Sequence, residues 1–174
     1  MALIKPVRGI HPIFGENNWL ADNATVVGDV VMGANCTVWF NAVVRGDVNS
    51  VRIGDYSNIQ DGAVIHCTYQ RTATTIGSYV SIAHNAIVHG CTIEDHVLIG
   101  MGAIIMDGAV IGTGSIIGAG AIITQNTVVA PGSVYAGNPA KFLKKVAPEL
   151  GAIIDRTAMN YVTYAGWFRE DSGS

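Results

Sequence analysis

The stretch I-G-T-G-S-I-I-G-A-G-A-I, Ile111–Ile122, decides how the whole chain is read. An isoleucine recurs at 111 and 117, and a small residue, Ser115 or Ala121, follows each by four. Extended in both directions, this spacing becomes a ladder of aliphatic or aromatic rungs. It runs from Phe14 to Val44, from Ile53 to Ile65, from Ile76 to Val88 and from Ile93 to Tyr135, at a spacing of six within each group. Four residues beyond the rungs come Ala24, Val30, Cys36, Ala42, Val48, Ser57, Ala63, Val80, Ala86 and Thr92, and the series continues to Ser133. No α-helix has a period of six, and an amphipathic strand has a period of two. A sandwich of short strands would show turn signals but no fixed register. A six-residue repeat points instead to a parallel β-helix, whose stacked coils bury a shared central column.

The pattern [LIV]-G-x-x-[STAV]-x resembles the hexapeptide-repeat superfamily over roughly residues 14–139. That resemblance implies an all-β, left-handed parallel β-helix, although parallel crossovers in general favour the right hand. It also implies three hexapeptides per triangular coil, so that rungs three apart stack at about the 4.8 Å strand spacing. Residues 1–139 are thus read as the β-helix with its N-terminal lead-in.

After N-P-A-K-F-L-K-K-V the pattern changes, and residues 140–174 are read as a C-terminal helical segment packed on the rod. Leu150, Ile153, Ile154, Thr157, Tyr161, Ala165 and Phe168 recur at helical spacing. Pro148 suits a first helical turn. The terminal E-D-S-G-S is expected to fray.

The 174 residues suit one domain with a small appendage. Hydrophobic residues make up 49% and charged residues 13%, which leaves ample core and little solvated tail. A net charge of −3 offers no basic stripe for a nucleic acid. Residues 108–140 carry no charge but are interrupted by glycines, Gln125, Asn126 and Pro131, so no membrane span is expected. The N-terminus lacks the apolar run of a signal peptide. Cys36, Cys67 and Cys91 are odd in number and irregularly spaced, which fits reduced thiols and a cytoplasmic protein.

The candidate site lies in V-S-I-A-H-N-A-I-V-H-G, Val80–Gly90, and its surroundings. If rungs face inward, the next one or two residues face outward. His66 follows Ile65, His89 follows Val88, and the two rungs are one coil apart. The imidazoles therefore share a column and can converge on one ion at zinc-ligand distances of about 2.0–2.1 Å. His84 follows Ile82 by two, so it belongs to another face, in register with Asp61. A neighbouring subunit could bring it to the other two histidines. Arg45 falls beneath His66, and Asp47, Gln60 and Asp61 lie nearby. His11 and His96 read as ordinary surface histidines.

V-V-R-G-D, N-I-Q-D-G-A-V-I-H and A-H-N-A-I-V-H-G together resemble the γ-class carbonic anhydrases and their relatives. The resemblance implies a homotrimer acting on CO2 and bicarbonate. Its metal is zinc, with ferrous iron or cobalt as alternatives, and the ligands match His66, His84 and His89. The residue matching His84 comes from the adjacent subunit. The matches to Arg45 and Asp47 make intersubunit polar contacts, that to Gln60 orients water or bicarbonate, and that to Asp61 lies near the interface. A metal-activated hydroxide would attack CO2. The chain departs from the archetype after its first histidine, where C-T-Y-Q-R-T-A-T-T has no carboxylate to shuttle protons, so weak activity is expected. The alternatives are a hexapeptide-repeat acyltransferase with a single histidine base, a thioesterase acting on a coenzyme A thioester, and a trimer that the metal merely staples. The ending Gly137–Lys141 is common to both enzyme groups, whereas the His66/His89 column has no place in a one-base mechanism.

Overall fold

Each rung of the ladder pairs in parallel with the rung three steps on. This holds throughout the computed structural model, which describes residues 1–171. Three columns result. Phe14, Met32, Ile53, Ile76, Ile93, Ile111 and Val129 stack on the first face of a prism. Leu20, Val38, Ile59, Ile82, Ile99, Ile117 and Tyr135 stack on the second. Val26, Val44, Ile65, Val88, Ile105 and Ile123 stack on the third. The architecture is a left-handed β-helix of about seven turns with one C-terminal helix.

The sequence dictates this shape through two positions in each hexapeptide. Rungs from Val26 to Val129 are buried, and so are most small residues four beyond them, which together fill one continuous core. The third residue after most rungs turns the corner with positive φ, as at Asn35, Asn41, Asn85, Gly102, Gly120 and Asn126. Asparagine and glycine tolerate this left-handed backbone.

The ladder breaks its period three times, always between a third-face rung and the next first-face rung. Between Val44 and Ile53 three extra residues enter as an irregularity in the pairing of strands Thr25–Met32 and Val43–Ile53. Such bulges re-aim side chains, and Asp47 lies in this one. Five extra residues between Ile65 and Ile76 make a loop closed by a Thr68–Thr72 bridge. One residue is missing between Val88 and Ile93, at Gly90. These breaks correct the small-residue series. Val48 is only half-buried and Thr92 is exposed, because the shifted register puts Val51 and Cys91 into the core instead.

The segment after residue 139 is not helical throughout. Ala140–Lys145 forms a strand antiparallel to Ser133–Gly137, and the helix spans Pro148–Asp171. Residues 172–174 of the expected frayed end lie outside the described residues. Among the described residues Ile154, Ala158 and Ala165 are the helix's buried ones, while Phe168, 40% exposed, touches Trp19, Trp39 and Phe40. His96 is no idle surface residue. Its Nδ1 lies 2.6 Å from Asp155 Oδ1 and ties the helix to the rod. All three cysteines are free and buried. No described helix is long and apolar enough to cross a membrane.

Candidate metal centre

The strand register Val88↔Ile65 carries the next residues with it, so His89 stands directly over His66 on the third face. Nδ1 of His66 lies 3.1 Å from Nε2 of His89, with the rings inclined by 61°. Each ring is held from behind by a carboxylate. His66 Nε2 lies 3.0 Å from Asp47 Oδ1, and His89 Nδ1 lies 3.1 Å from Asp107 Oδ2.

The carboxylates are fixed in turn. Arg45 stacks below His66 as the register Val44↔Ile65 requires, and its Nη1 donates to Asp47 Oδ2 at 2.6 Å. Asp107 Oδ1 accepts the hydroxyls of Thr68 and Thr72, each at 2.6 Å. Gly90, at φ 58°, makes room for this arrangement, since a Cβ there would collide with Asp107 Oδ1 and the Thr72 hydroxyl. Thr74 donates its hydroxyl to the His66 carbonyl and accepts the Gly90 amide at 2.9 Å, which locks the two histidine strands together.

The electrostatics follow from these contacts. Burial pushes the Asp47 carboxyl up, but hydrogen bonds from Arg45 and His66 outweigh it and hold the group below the usual carboxylate range. Burial likewise opposes ionisation of Asp107, yet the two threonine hydroxyls and His89 bring it down to about 2. Burial lowers His66, and Arg45 adds to this against the pull of Asp47. The arrangement favours a neutral imidazole beside ionised carboxylates, the state in which histidine serves as a metal ligand.

His84 stands elsewhere. It follows Ile82 on the second face and stacks over Asp61 through the register Ile82↔Ile59, with its Nδ1 2.9 Å from Asp61 Oδ2. Its Nε2 lies 3.4 Å from the hydroxyl of Tyr161 on the helix. Together with Gln60, Leu98, Met101 and Tyr161, His84 lines a mainly apolar pocket of about 300 Å³. Gln60 is buried, and its amide is oriented by a chain in which Asn58 donates to Ser81 Oγ and Gln60 Nε2 donates to Asn58 Oδ1, both at 2.9 Å. This leaves Gln60 Oε1 as the atom offered to the pocket. Burial, then the nearby Asp61, pushes Tyr161 up to about 12, so it remains a neutral donor.

The His66/His89 pair fits a cation. Two ligands on a tetrahedral zinc ion lie about 3.3 Å apart, close to the separation of the facing nitrogens. A carboxylate behind each ring is the arrangement that orients metal-bound histidines. Within one chain the donor set stops at two, for no three His, Cys, Asp or Glu among the described residues form a group able to hold a metal. The structure therefore joins Arg45, Asp47, His66 and His89 in one cluster and Gln60, Asp61 and His84 in another.

Sequence reading missed Asp107, Thr68, Thr72 and Tyr161. Asp107 was within reach, because following the third-face column one coil past Val88 leads to Ile105 and so to a carboxylate two residues on. Tyr161 was placed only on a packing stripe. The loop that carries Thr68 and Thr72 has no repeat to fix its course.

Comparison with known proteins bears on the fold and the family. The family described as "Bacterial transferase hexapeptide (six repeats)" matches residues 11–46 and 90–125. The chain is 51% identical over 150 residues to "Probable carbonic anhydrase" of Methanocaldococcus jannaschii, covering 86% of this chain and 94% of that protein. It is 42% identical over 159 residues to "Gamma carbonic anhydrase 1, mitochondrial" of Arabidopsis thaliana, covering 88% of this chain and 58% of that protein, so it spans less than two thirds of the plant relative. A crystal structure of a hexapeptide transferase family protein from Anaplasma phagocytophilum superposes with a TM-score of 0.91 at 36% identity, covering 95% of this chain and 98% of the other.

Proposed function

The chain belongs to the γ-class carbonic anhydrase-like family of hexapeptide-repeat proteins, and from that premise we propose that it is a metal-dependent hydratase interconverting CO2 and bicarbonate at sites shared between copies in a homotrimer. The observation that carries this reading is the facing pair of ring nitrogens on His66 and His89, 3.1 Å apart, each ring backed by a carboxylate.

His66 and His89 would hold the cation, zinc or alternatively ferrous iron or cobalt, with His84 of an adjacent copy as third ligand. Bound there, the metal supplies Lewis acidity, which makes a water molecule acidic near pH 7. The residues of this chain then divide the work. Asp47 and Asp107 hold the two rings in fixed tautomers. Arg45 holds Asp47. Asp61 fixes Nδ1 of His84 and leaves Nε2 as its ligating atom, where a cation would displace the 3.4 Å contact with the Tyr161 hydroxyl. Gln60, with its amide set by Asn58, offers Oε1 as an acceptor that orients the attacking water. The apolar wall of Leu98 and Met101 suits CO2 better than water.

A second copy is supported by the outward face. Val43, Val64, Ile87, Ile104 and Ile122 project one residue before the third-face rungs, and Ile87 is 39% exposed. This apolar column runs beside histidines that lack a third ligand, the situation a symmetric oligomer resolves. The free buried cysteines fit a reducing compartment such as the cytoplasm. The loop after His66 carries no carboxylate, so proton export falls to buffer and limits the rate.

The test is metal analysis of purified protein together with stopped-flow CO2 hydration in concentrated buffer. One cation per subunit and a rate lost in His89→Ala are expected. Metal-free protein with no hydration after reloading overturns the reading. The His84–Asp61 pair opening on an apolar pocket favours one competitor, an acyltransferase in which His84 is a general base. That reading requires acyl transfer from a coenzyme A thioester without metal, unaffected by His89→Ala.

A further inference from the structure

The loop that follows His66 encloses a second feature beside the candidate centre. A bridge between Thr68 and Thr72 closes it, the Arg71 amide donates to the Thr68 carbonyl at 3.2 Å, and the two threonine hydroxyls pin it to Asp107. Thr68, Arg71, Thr72, Asp107, Gln125 and Asn126 line a polar hollow of about 140 Å³. It shares the Asp107 wall with His89.

The two threonine hydroxyls are spent on Asp107, but three exposed donor side chains of this hollow, Arg71, Gln125 and Asn126, are not. Arg45 and Arg52 are paired with carboxylates, and Arg169 donates to a backbone carbonyl. Among the described residues, however, the Arg71 guanidinium makes no hydrogen bond or ion pair, and the side-chain amides of Gln125 and Asn126 are equally without partners. A guanidinium presents a planar fork of N–H donors matched to a planar oxyanion. Asp107, which lines the same hollow, is an acceptor that is nearly filled. A carboxylate has about four lone-pair sites, and Asp107 uses three of them, for Thr68, Thr72 and His89. One remains.

A ligand that satisfies both walls is an anion with a planar oxygen fork for Arg71 and one O–H for Asp107. Nitrate and acetate have the fork without the O–H, and chloride has neither. The volume, a few times the roughly 30 Å³ share of one water, admits a four-heavy-atom ion and excludes a nucleotide-sized cofactor. We propose that this hollow is a docking site for bicarbonate, in which Arg71 holds the oxygens and Asp107 accepts the hydroxyl, next to the centre where bicarbonate is made or consumed. The identity of the anion rests on the hydratase reading, whereas the pairing of fork and acceptor does not.

The experiment titrates chelator-treated, metal-free protein with 13C-bicarbonate at pH 8 and follows binding by NMR line broadening and by calorimetry. Wild type should bind in the millimolar range, Arg71→Gln at least tenfold more weakly, and Arg71→Lys in between, with nitrate and acetate failing to compete. Equal binding by wild type and Arg71→Gln overturns the site, as does no binding at all. Tighter binding of phosphate than of bicarbonate reassigns the hollow and also overturns the proposal. CO2 hydration by the metal-loaded protein is scored separately. Hydration without Arg71-dependent binding leaves the hydratase and removes the docking site. Arg71-dependent binding without hydration does the reverse.

Discussion

Nδ1 of His66 and Nε2 of His89 face each other at 3.1 Å from successive coils of the same prism face. Parallel register makes this inevitable, because any two residues that follow stacked rungs by one must themselves stack. His84, one residue farther from its own rung and on another face, cannot join them by the same rule.

If His84 acts across an interface, inactive variants should rescue one another. His84→Ala keeps the His66/His89 pair and His89→Ala keeps His84, so mixed trimers regain intact sites at some interfaces. Random assembly of equal amounts should restore about one quarter of the sites, read as bound metal and as CO2 hydration. A site built within one chain would give no recovery.

Asp107→Asn should weaken the centre without unfolding the rod. It keeps the size of the side chain but loses the charge behind His89, and loss of such an outer-shell partner typically costs about 10–100-fold in metal affinity. Competition with a chromophoric chelator measures this, and the metal-free melting temperature checks the fold.

Gly90→Ala should destabilise the protein and displace Asp107 together. A left-handed backbone costs an alanine roughly 1–2 kcal/mol, and its Cβ would also strike Asp107 and Thr72. Urea unfolding should register the loss. A weaker metal site would accompany it, whereas Gly102→Ala, where no atom lies in the way, should show the backbone cost alone.

Alkaline pH should loosen the core through Cys36. Burial pushes this thiol up to about 11 from an ordinary value of 9.0. The folded state therefore keeps a proton that the unfolded chain gives up first. The contribution is fully present below pH 9 and is lost as pH rises towards 11, at about 1.4 kcal/mol per unit. Urea unfolding at pH 8 and pH 10.5 should show a steeper decline for wild type than for Cys36→Ala. The thiol should also resist alkylation at pH 8 in the native state.

The β-helix and the stacking of His66 with His89 were legible in the sequence because both depend only on counting. Every repeat contributes one inward rung, and rungs three apart must pair, so column membership follows from residue number. Counting failed where the period itself changed. Val48 and Thr92 left the core at two of the breaks, and the strand Ala140–Lys145 replaced the start of the expected helical segment.

By itself, then, the sequence determined the prism, its buried ladder and the faces on which the histidines stand, since short-range periodicity fixes long-range register in a stacked solenoid. Only the tertiary structure decided what lies around those histidines. The loop of Thr68 and Arg71 that pins Asp107 behind His89 comes from an insertion, and the Tyr161 hydroxyl beside His84 comes from the helix, where no repeat constrains the path. Their positions are set by side-chain hydrogen bonds and packing between distant segments, which no spacing along the chain encodes.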